Sequence, residues 1–397
     1  MKRTLVALGV CAWLAGPAAM NAWSEDEVTE RLDRIESRLD QLSGGDEDSH
    51  GGSGSGKISF HGYGELHFNS PEGSSVPDDA DPAIMDLHRM VWGVSYQFND
   101  RISVHTEVDF EHAATEIELE FAYLDFLITP AFNLRAGSML MPVGPLNEFH
   151  EPTLFYSVER PYVQRTIIPT SWQEGGVGLF GSVPAGLKYR VYLVSGLNAE
   201  GFTASSGIRG GRGHVAEQPS DSLAIVGRLE YVGLPGVDLG LSLYQGGANT
   251  TNNAGLGDAG VGILEADARL RVAGFDLRGV LASINVDGAD QISAVTAETI
   301  GEEMMGWYLE AAYDVLKVLA PNTEQSVVAF LRYEDFDTQK SVATGFTADP
   351  ANERQVMTAG VAYFPIPDVA VKADLENWEN GADDDGSRFN LAVAYQF

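Results

Sequence analysis

Between Lys57 and Phe397 the chain is a succession of segments in which apolar and polar residues alternate, and this pattern constrains its fold more than any other feature. Period-two alternation marks a strand with one apolar and one polar face. In the last eleven residues Phe389, Leu391, Val393, Tyr395 and Phe397 take one side, and Arg388, Asn390, Ala392, Ala394 and Gln396 the other. In 264–272, Leu264, Ala266, Ala268, Leu270 and Val272 oppose Glu265, Asp267, Arg269 and Arg271. In 102–111, Ile102, Val104, Thr106, Val108 and Phe110 oppose Ser103, His105, Glu107, Asp109 and Glu111.

Sixteen such segments are predicted, at 58–68, 85–98, 102–112, 116–128, 133–141, 175–183, 187–196, 222–232, 237–245, 262–272, 275–284, 305–316, 325–335, 355–365, 368–377 and 387–397. Tight turns (99–101, 130–131, 184–186, 234–236, 273–274 and 365–367) alternate with long polar loops near 70–83, 142–174, 197–220, 246–260, 285–303, 336–353 and 378–386. An isolated charged face is an ordinary solvated surface. Repeated over so many strands, with short and long connections in rhythm, the pattern predicts an all-β fold: a transmembrane antiparallel barrel whose apolar faces meet lipid and whose closure removes the sheet edges. Segment 116–128 fits less cleanly, because Asp125 falls in phase with the apolar residues; a bulge or a place near the rim would account for it. The first segment is expected to pair with the last, Ile58–Phe68 against Arg388–Phe397.

Bulk properties agree. Hydrophobic residues make up 44% of the chain and mean hydropathy is −0.09, values a barrel shares with soluble proteins because only alternate strand residues face lipid. No run approaches the length of a membrane-spanning helix. A net charge of −32 repels phosphate backbones and excludes nucleic acid as a main partner.

The N-terminus reads as three further pieces. Residues 1–22, with Lys2-Arg3, an apolar run from Thr4 to Ala15 and small residues up to Ala22, have the composition of a secretory signal peptide. The single cysteine, Cys11, lies within it, so the chain beyond would have no disulfide and no thiolate chemistry. Residues 23–43 carry Val28, Leu32, Ile35, Leu39 and Leu42 at a/d spacing, predicting a short coiled-coil helix over 25–42; a single amphipathic helix lying on the barrel is the other reading. Residues 44–56 are a Gly/Ser-rich tether.

The third outer loop, 142–174, counted with the short connection after the third strand, is unusually apolar for a surface loop, with Leu146, Phe149, Leu154, Phe155, Tyr156, Tyr162, Ile167, Ile168 and Trp172. A loop folded into the barrel and packed on its wall would accommodate them. Its charged and titratable residues Glu148, His150, Glu151, Glu159, Arg160 and Arg165 are therefore the candidate constriction. The candidate wall residues are Arg89, Glu107, Asp109, Glu118, Glu120, Arg135, Arg190, Arg228, Arg269, Arg271 and Arg332. Acids on the third and fourth strands facing basic residues elsewhere on the wall would set a transverse field across the lumen, which selects polar solutes.

Sixteen strands, an inward third loop and a terminal Phe resemble the general trimeric porins. The segments Phe60-His61-Gly62-Tyr63-Gly64-Glu65 and Leu134-Arg135-Ala136-Gly137, the latter running into Pro142-Val143-Gly144, resemble the phosphate-selective porin O/P superfamily. The resemblance implies a passive trimeric pore in the bacterial outer membrane, with lipid and lipopolysaccharide around it, small solutes passing through it, and loop three as its constriction. It also implies that the terminal strand serves as the address for membrane insertion. Phosphate selectivity does not follow, because the wall's basic residues are interleaved with acids. A substrate-specific channel, for anions such as phosphate or another small solute, and a scaffold for a periplasmic partner are the competing readings, and the apolar third loop argues against a partner threaded through the lumen.

Enzymatic chemistry finds no support in motif: there is neither HExxH nor GxSxG. No cofactor and no metal centre is expected. His61, Glu65, His67, His105 and His150 would have to converge to bind a divalent ion, and separate polar wall residues are the favoured reading. Gly207–Gly213 lacks the strand–turn–helix setting of a phosphate cradle, and Asp383-Asp384-Asp385 reads as an acidic outer loop.

Overall fold

The computed structural model describes residues 57–73, 76 and 83–397. The signal segment, the heptads of 25–42 and the tether lie outside the described residues.

Sixteen strands form one closed sheet: β1 (Lys57–Gly73), β2 (Ile84–Asn99), β3 (Ile102–Glu111), β4 (Glu116–Thr129), β5 (Phe132–Leu140), β6 (Gln173–Val183), β7 (Leu187–Ser195), β8 (Leu223–Leu234), β9 (Val237–Gly247), β10 (Gly260–Val272), β11 (Phe275–Asp287), β12 (Gly301–Asp314), β13 (Ser326–Val342), β14 (Glu353–Ile366), β15 (Val369–Asn380) and β16 (Asp385–Gln396). Each pairs antiparallel with its neighbour in sequence, and β1 pairs with β16, from Tyr63 opposite Gln396 to Gly73 opposite Gly386. The shortest strands have 9 residues, enough for a tilted crossing of the hydrocarbon layer, which needs about 9–11. Among the described residues, no helix is long and apolar enough to cross a membrane.

The two faces are sorted as the alternation requires. Outward residues are apolar and exposed, among them Val177, Leu193, Ile225, Leu243, Leu264, Leu309, Val371 and Val393. At the end where the short turns lie, Phe60, Phe98, Phe132, Phe275 and Phe397 are exposed, an aromatic girdle of the kind that sits at a membrane–water interface.

The loop rhythm has two exceptions. The β3–β4 connection, at the long-loop end, is only His112–Thr115, and its first three residues take left-handed backbone. The β12–β13 connection, at the short-turn end, runs from 315 to 325 and contains a helical turn, α2 (Leu316–Leu319). A second helical insert, α1 (Ala289–Thr296), stands in the β11–β12 loop and buries Ile292. Asp125 is explained by a bulge: the β3–β4 register shifts where Glu107 faces Phe121 and Val108 faces Leu119. Before the shift Glu116, Glu118 and Glu120 face inward; after it Tyr123 and Asp125 do.

Candidate functional site

Loop three leaves β5 and rejoins β6 on the long-loop side and reaches down the lumen to the short-turn end, where Tyr156 meets Asp276 and Thr153 meets Gln396. It is slightly shorter than the sequence suggests, because β6 already begins at Gln173; Gln173 and Glu174 are wall residues. Five prolines (142, 145, 152, 161 and 169) keep 141–172 out of any ladder. Asn147 ties the two ends of the loop together, donating to the Met141 and Trp172 carbonyls at 2.7 and 2.9 Å and accepting from Trp172 N at 2.9 Å. Between these ends Val163–Ile167 forms a π-helical turn. Val143, Tyr162, Val163, Ile167, Ile168 and Trp172 bury their side chains in one cluster with inward wall residues that include Tyr192, Val226, Tyr244, Tyr308, Val356 and Trp378.

Polar contacts fix the loop on every side. Gly144 N donates to Ser242 on β9 at 3.2 Å. Glu148 pairs with Arg190 on β7 at 3.0 Å, and His150 with Glu120 on β4 at 2.8 Å. Arg278 on β11 donates to the Leu154 carbonyl at 2.9 Å, and Tyr156 to Asp276 at 2.7 Å. Arg332 on β13 donates to Ser157 Oγ at 2.6 Å, and Lys372 on β15 to the Ser157 carbonyl at 2.8 Å. Val158 N and Val163 N donate to Asp374 and Glu334 at 2.6 and 3.0 Å. Glu159 accepts from Asn69 on β1 at 3.1 Å and stands 3.5 Å from His67. Thr153 reaches Gln396 on β16. A single loop thus touches strands around the whole circumference.

The other loop residues singled out by sequence fall in the same region. Arg160 donates to Ser171 at 3.0 Å, and a buried carboxylate oxygen of Glu151 has no hydrogen bond. The Arg165 carbonyl accepts from Arg209 at 3.1 Å. Arg209 and Arg212 belong to a second inward loop, between β7 and β8, and both also donate to the Thr170 carbonyl. Sequence reasoning missed this loop, although Leu197, Phe202 and Ile208 signal it by being apolar in an otherwise polar stretch; all three are buried.

Burial and partners set the titration of the loop groups. Burial pushes the Glu148 carboxyl up, against the pull of Arg190 and Arg135. Burial also raises Glu159, but the His67 hydrogen bond and Arg388 overcome it and hold this carboxyl well below the usual range. Burial alone would depress His150; the adjacent Glu120 reverses that and raises it.

The basic residues of the wall stand in ion pairs with wall acids, mostly between neighbouring strands. Arg89 contacts Glu65, Asp109 and Glu111 at 3.2, 3.6 and 2.8 Å. Arg135 makes a bidentate pair with Asp125 at 2.8 and 2.9 Å. Arg190 and Arg228 share Glu230, and Arg228 also meets Glu265 and Asp267. Arg269 and Arg271 pair with Asp276 and Asp238, and Arg332 with Glu310 and Glu334. Glu107 meets His61 at 2.8 Å. Glu118 is half exposed at the mouth, 3.7 Å from His214. Lys372, Asp374, Glu376 and Arg388 complete the wall opposite; their alternate spacing was the available signal.

Of the five acid and histidine residues weighed as a possible ion site, only Glu65 and His67 meet each other. His61 meets Glu107, His67 meets Glu65 and Glu159, His150 meets Glu120, and His105 bonds Ser95 and Ser103. They are separate polar wall contacts.

This closed sixteen-stranded barrel, apolar outside and charged within, has the fold of the outer-membrane porins. Similar solved structures are the outer membrane channel DcaP of Acinetobacter baumannii (TM-score 0.57, 12% identity, covering 86% of this chain and 97% of that one) and Salmonella typhi OmpF (0.55, 12%, 86% and 98%). The anion-selective porin from Comamonas acidovorans is similar too (0.54, 12%, 86% and 100%). No protein-family model matches the chain. It belongs to the same family as an uncharacterized protein of Aquifex aeolicus (strain VF5), 34% identical over 358 residues, 86% of this chain and 80% of that protein.

Proposed function

We propose that this protein is an outer-membrane porin that admits small hydrophilic solutes and ions by passive diffusion, with loop three setting the narrowest section. The observation that carries this reading is the ring of contacts from loop three to strands on all sides of a lumen lined by paired charges. Such a lining accepts hydrated polar solutes and rejects apolar ones, while the lipid-facing belt holds the barrel in the bilayer. The short turns and both ends of the barrel chain would face the periplasm, and the long loops the exterior with its lipopolysaccharide. Residues 25–42 would form a three-stranded coiled coil in the periplasm and the assembly would be a homotrimer.

A substrate-specific channel is the second reading, and one observation favours it. Inward side chains are buried on every strand, from Val91 on β2 and Glu265 on β10 to Trp378 on β15, and a path this closely packed would suit one solute more than many. Phosphate selectivity is not supported, since the wall arginines are matched by carboxylates. Single-channel conductance and reversal potential in a planar bilayer decide between the readings. Linear conductance, unblocked by sugars or phosphate, supports a general porin; saturation or block by one solute supports the specific channel. Absence of any conductance refutes both.

A further inference from the structure

Three side chains at the long-loop mouth of the barrel bring metal-ligating atoms together, apart from the contacts of loop three. Asp86 lies on the inner face of β2, between exposed Met85 and Leu87; a shift of the β1–β2 register leaves His88 as an extra residue beside inward Arg89, and its ring also lies inside, stacked on His67. The third, His112, begins the short β3–β4 connection. His112, Ala113 and Ala114 have φ of 49°, 56° and 67°, a left-handed run that L-residues rarely adopt. This reversal delivers one imidazole over β2. His112 Nδ1 lies 2.7 Å from Asp86 Oδ2, and His88 Nδ1 lies 3.4 Å from the same oxygen. One ligand atom from each residue falls within 4.8 Å of the others.

These separations suit a metal. A tetrahedral ion with ligands at about 2.0–2.1 Å keeps neighbouring donor atoms about 3.3 Å apart, close to the His88–Asp86 separation, and the His112–Asp86 contact would open by about 0.6 Å to match it. The rings are supported from behind: His67 stacks on His88 with centroids 4.6 Å apart and planes 12° apart. Both His67 nitrogens face carboxylates, Glu65 at 2.9 Å and Glu159 at 3.5 Å, so His67 acts here as a packing surface and not as a fourth ligand. The side chains of Asp86, His88 and His112 are 23%, 28% and 45% exposed, which leaves an approach from solvent and room for a water ligand.

We propose that Asp86, His88 and His112 bind one divalent transition-metal ion of the zinc type at this mouth. Two imidazoles and one carboxylate favour such ions over magnesium or calcium, which prefer all-oxygen shells. The site needs only the barrel wall and the β3–β4 turn, so it stands or falls independently of conduction.

Titration calorimetry of the folded full-length chain in detergent, with zinc chloride as probe, tests the proposal. One zinc per chain is expected, with no comparable heat from magnesium. His88→Ala and His112→Ala should each weaken zinc binding at least tenfold, and His214→Ala should leave it unchanged. Cobalt(II) absorption of the unaltered protein gives a readout that needs no variant: d–d bands of a four- or five-coordinate ion are expected, lost in His112→Ala. Zinc binding that is absent, that survives both histidine substitutions, or that shows only octahedral cobalt overturns the proposal.

Discussion

Gly62 and Phe397 exchange two backbone hydrogen bonds, of 3.0 and 2.9 Å, where β1 and β16 close the barrel at its short-turn end. The Phe397 ring lies over the same glycine: a Cβ at Gly62 would stand 2.9 Å from its Cζ and 2.3 Å from the Val91 carbonyl oxygen. Deleting Phe397 removes both bonds and that contact, a loss of about 1–3 kcal/mol for the hydrogen bonds alone. The truncated barrel should unfold at lower temperature on semi-native gels. An unchanged transition would show that closure does not depend on the terminal residue.

Asn147 should be the least replaceable side chain of loop three. It is fully buried and makes three hydrogen bonds to the backbone at Met141 and Trp172. Asn147→Leu strands those groups, at about 3 kcal/mol or more. Limited proteolysis should then cut within 142–172 while the strands stay protected, and conductance should become noisier.

Loop anchoring should depend on pH with a definite sign. The His150 value is raised in the folded protein, so its stabilisation is complete below the ordinary histidine value of about 6.5 and is lost as pH rises through the elevated one. Glu159 is depressed, so its stabilisation holds above about 4.3 and is lost only as pH falls through its lowered value. Protection factors in loop three, in which the intrinsic base-catalysed rise of amide exchange is divided out, should therefore be lower at pH 9 than at pH 6. Glu120→Gln should abolish most of that difference; if it persists, the His150–Glu120 pair is not its origin.

Neutralising Glu148, Glu151 and Glu159 to Gln should shift ion preference toward anions. Glu148→Gln leaves Arg190 sharing only Glu230, and one charge at 4 Å is worth about 1 kcal/mol even at the dielectric of water, about fivefold in a permeability ratio. Reversal potentials under a salt gradient measure it. Unmoved potentials would place the filter elsewhere on the wall.

Deleting residues 23–56 should lower the native mass from trimer to a smaller species, since the heptads of 25–42 are the proposed clamp. Trimers that persist would make that helix accessory. A monomeric full-length protein would refute the assembly.

Much of the architecture was legible because it is written in local geometry. Side-chain alternation along a strand follows from the backbone itself, so the number of strands, their apolar outer faces and the β1–β16 closure could be read from apolar residues such as Leu391 and Val393. The apolar content of 142–174 likewise announced a loop that needs a wall to pack on. Which carboxylate meets which guanidinium was not legible. Arg135 finds Asp125 only because a bulge near Glu107 turns β4 over, and Arg332 finds Ser157, 175 residues away, because a proline-rich loop crosses the lumen. The cluster of Asp86, His88 and His112 depends on left-handed backbone at a four-residue turn, which no spacing in the chain foretells. Alternation is a property of neighbours along the chain; register, bulges and loop paths are settled by packing between residues far apart in it.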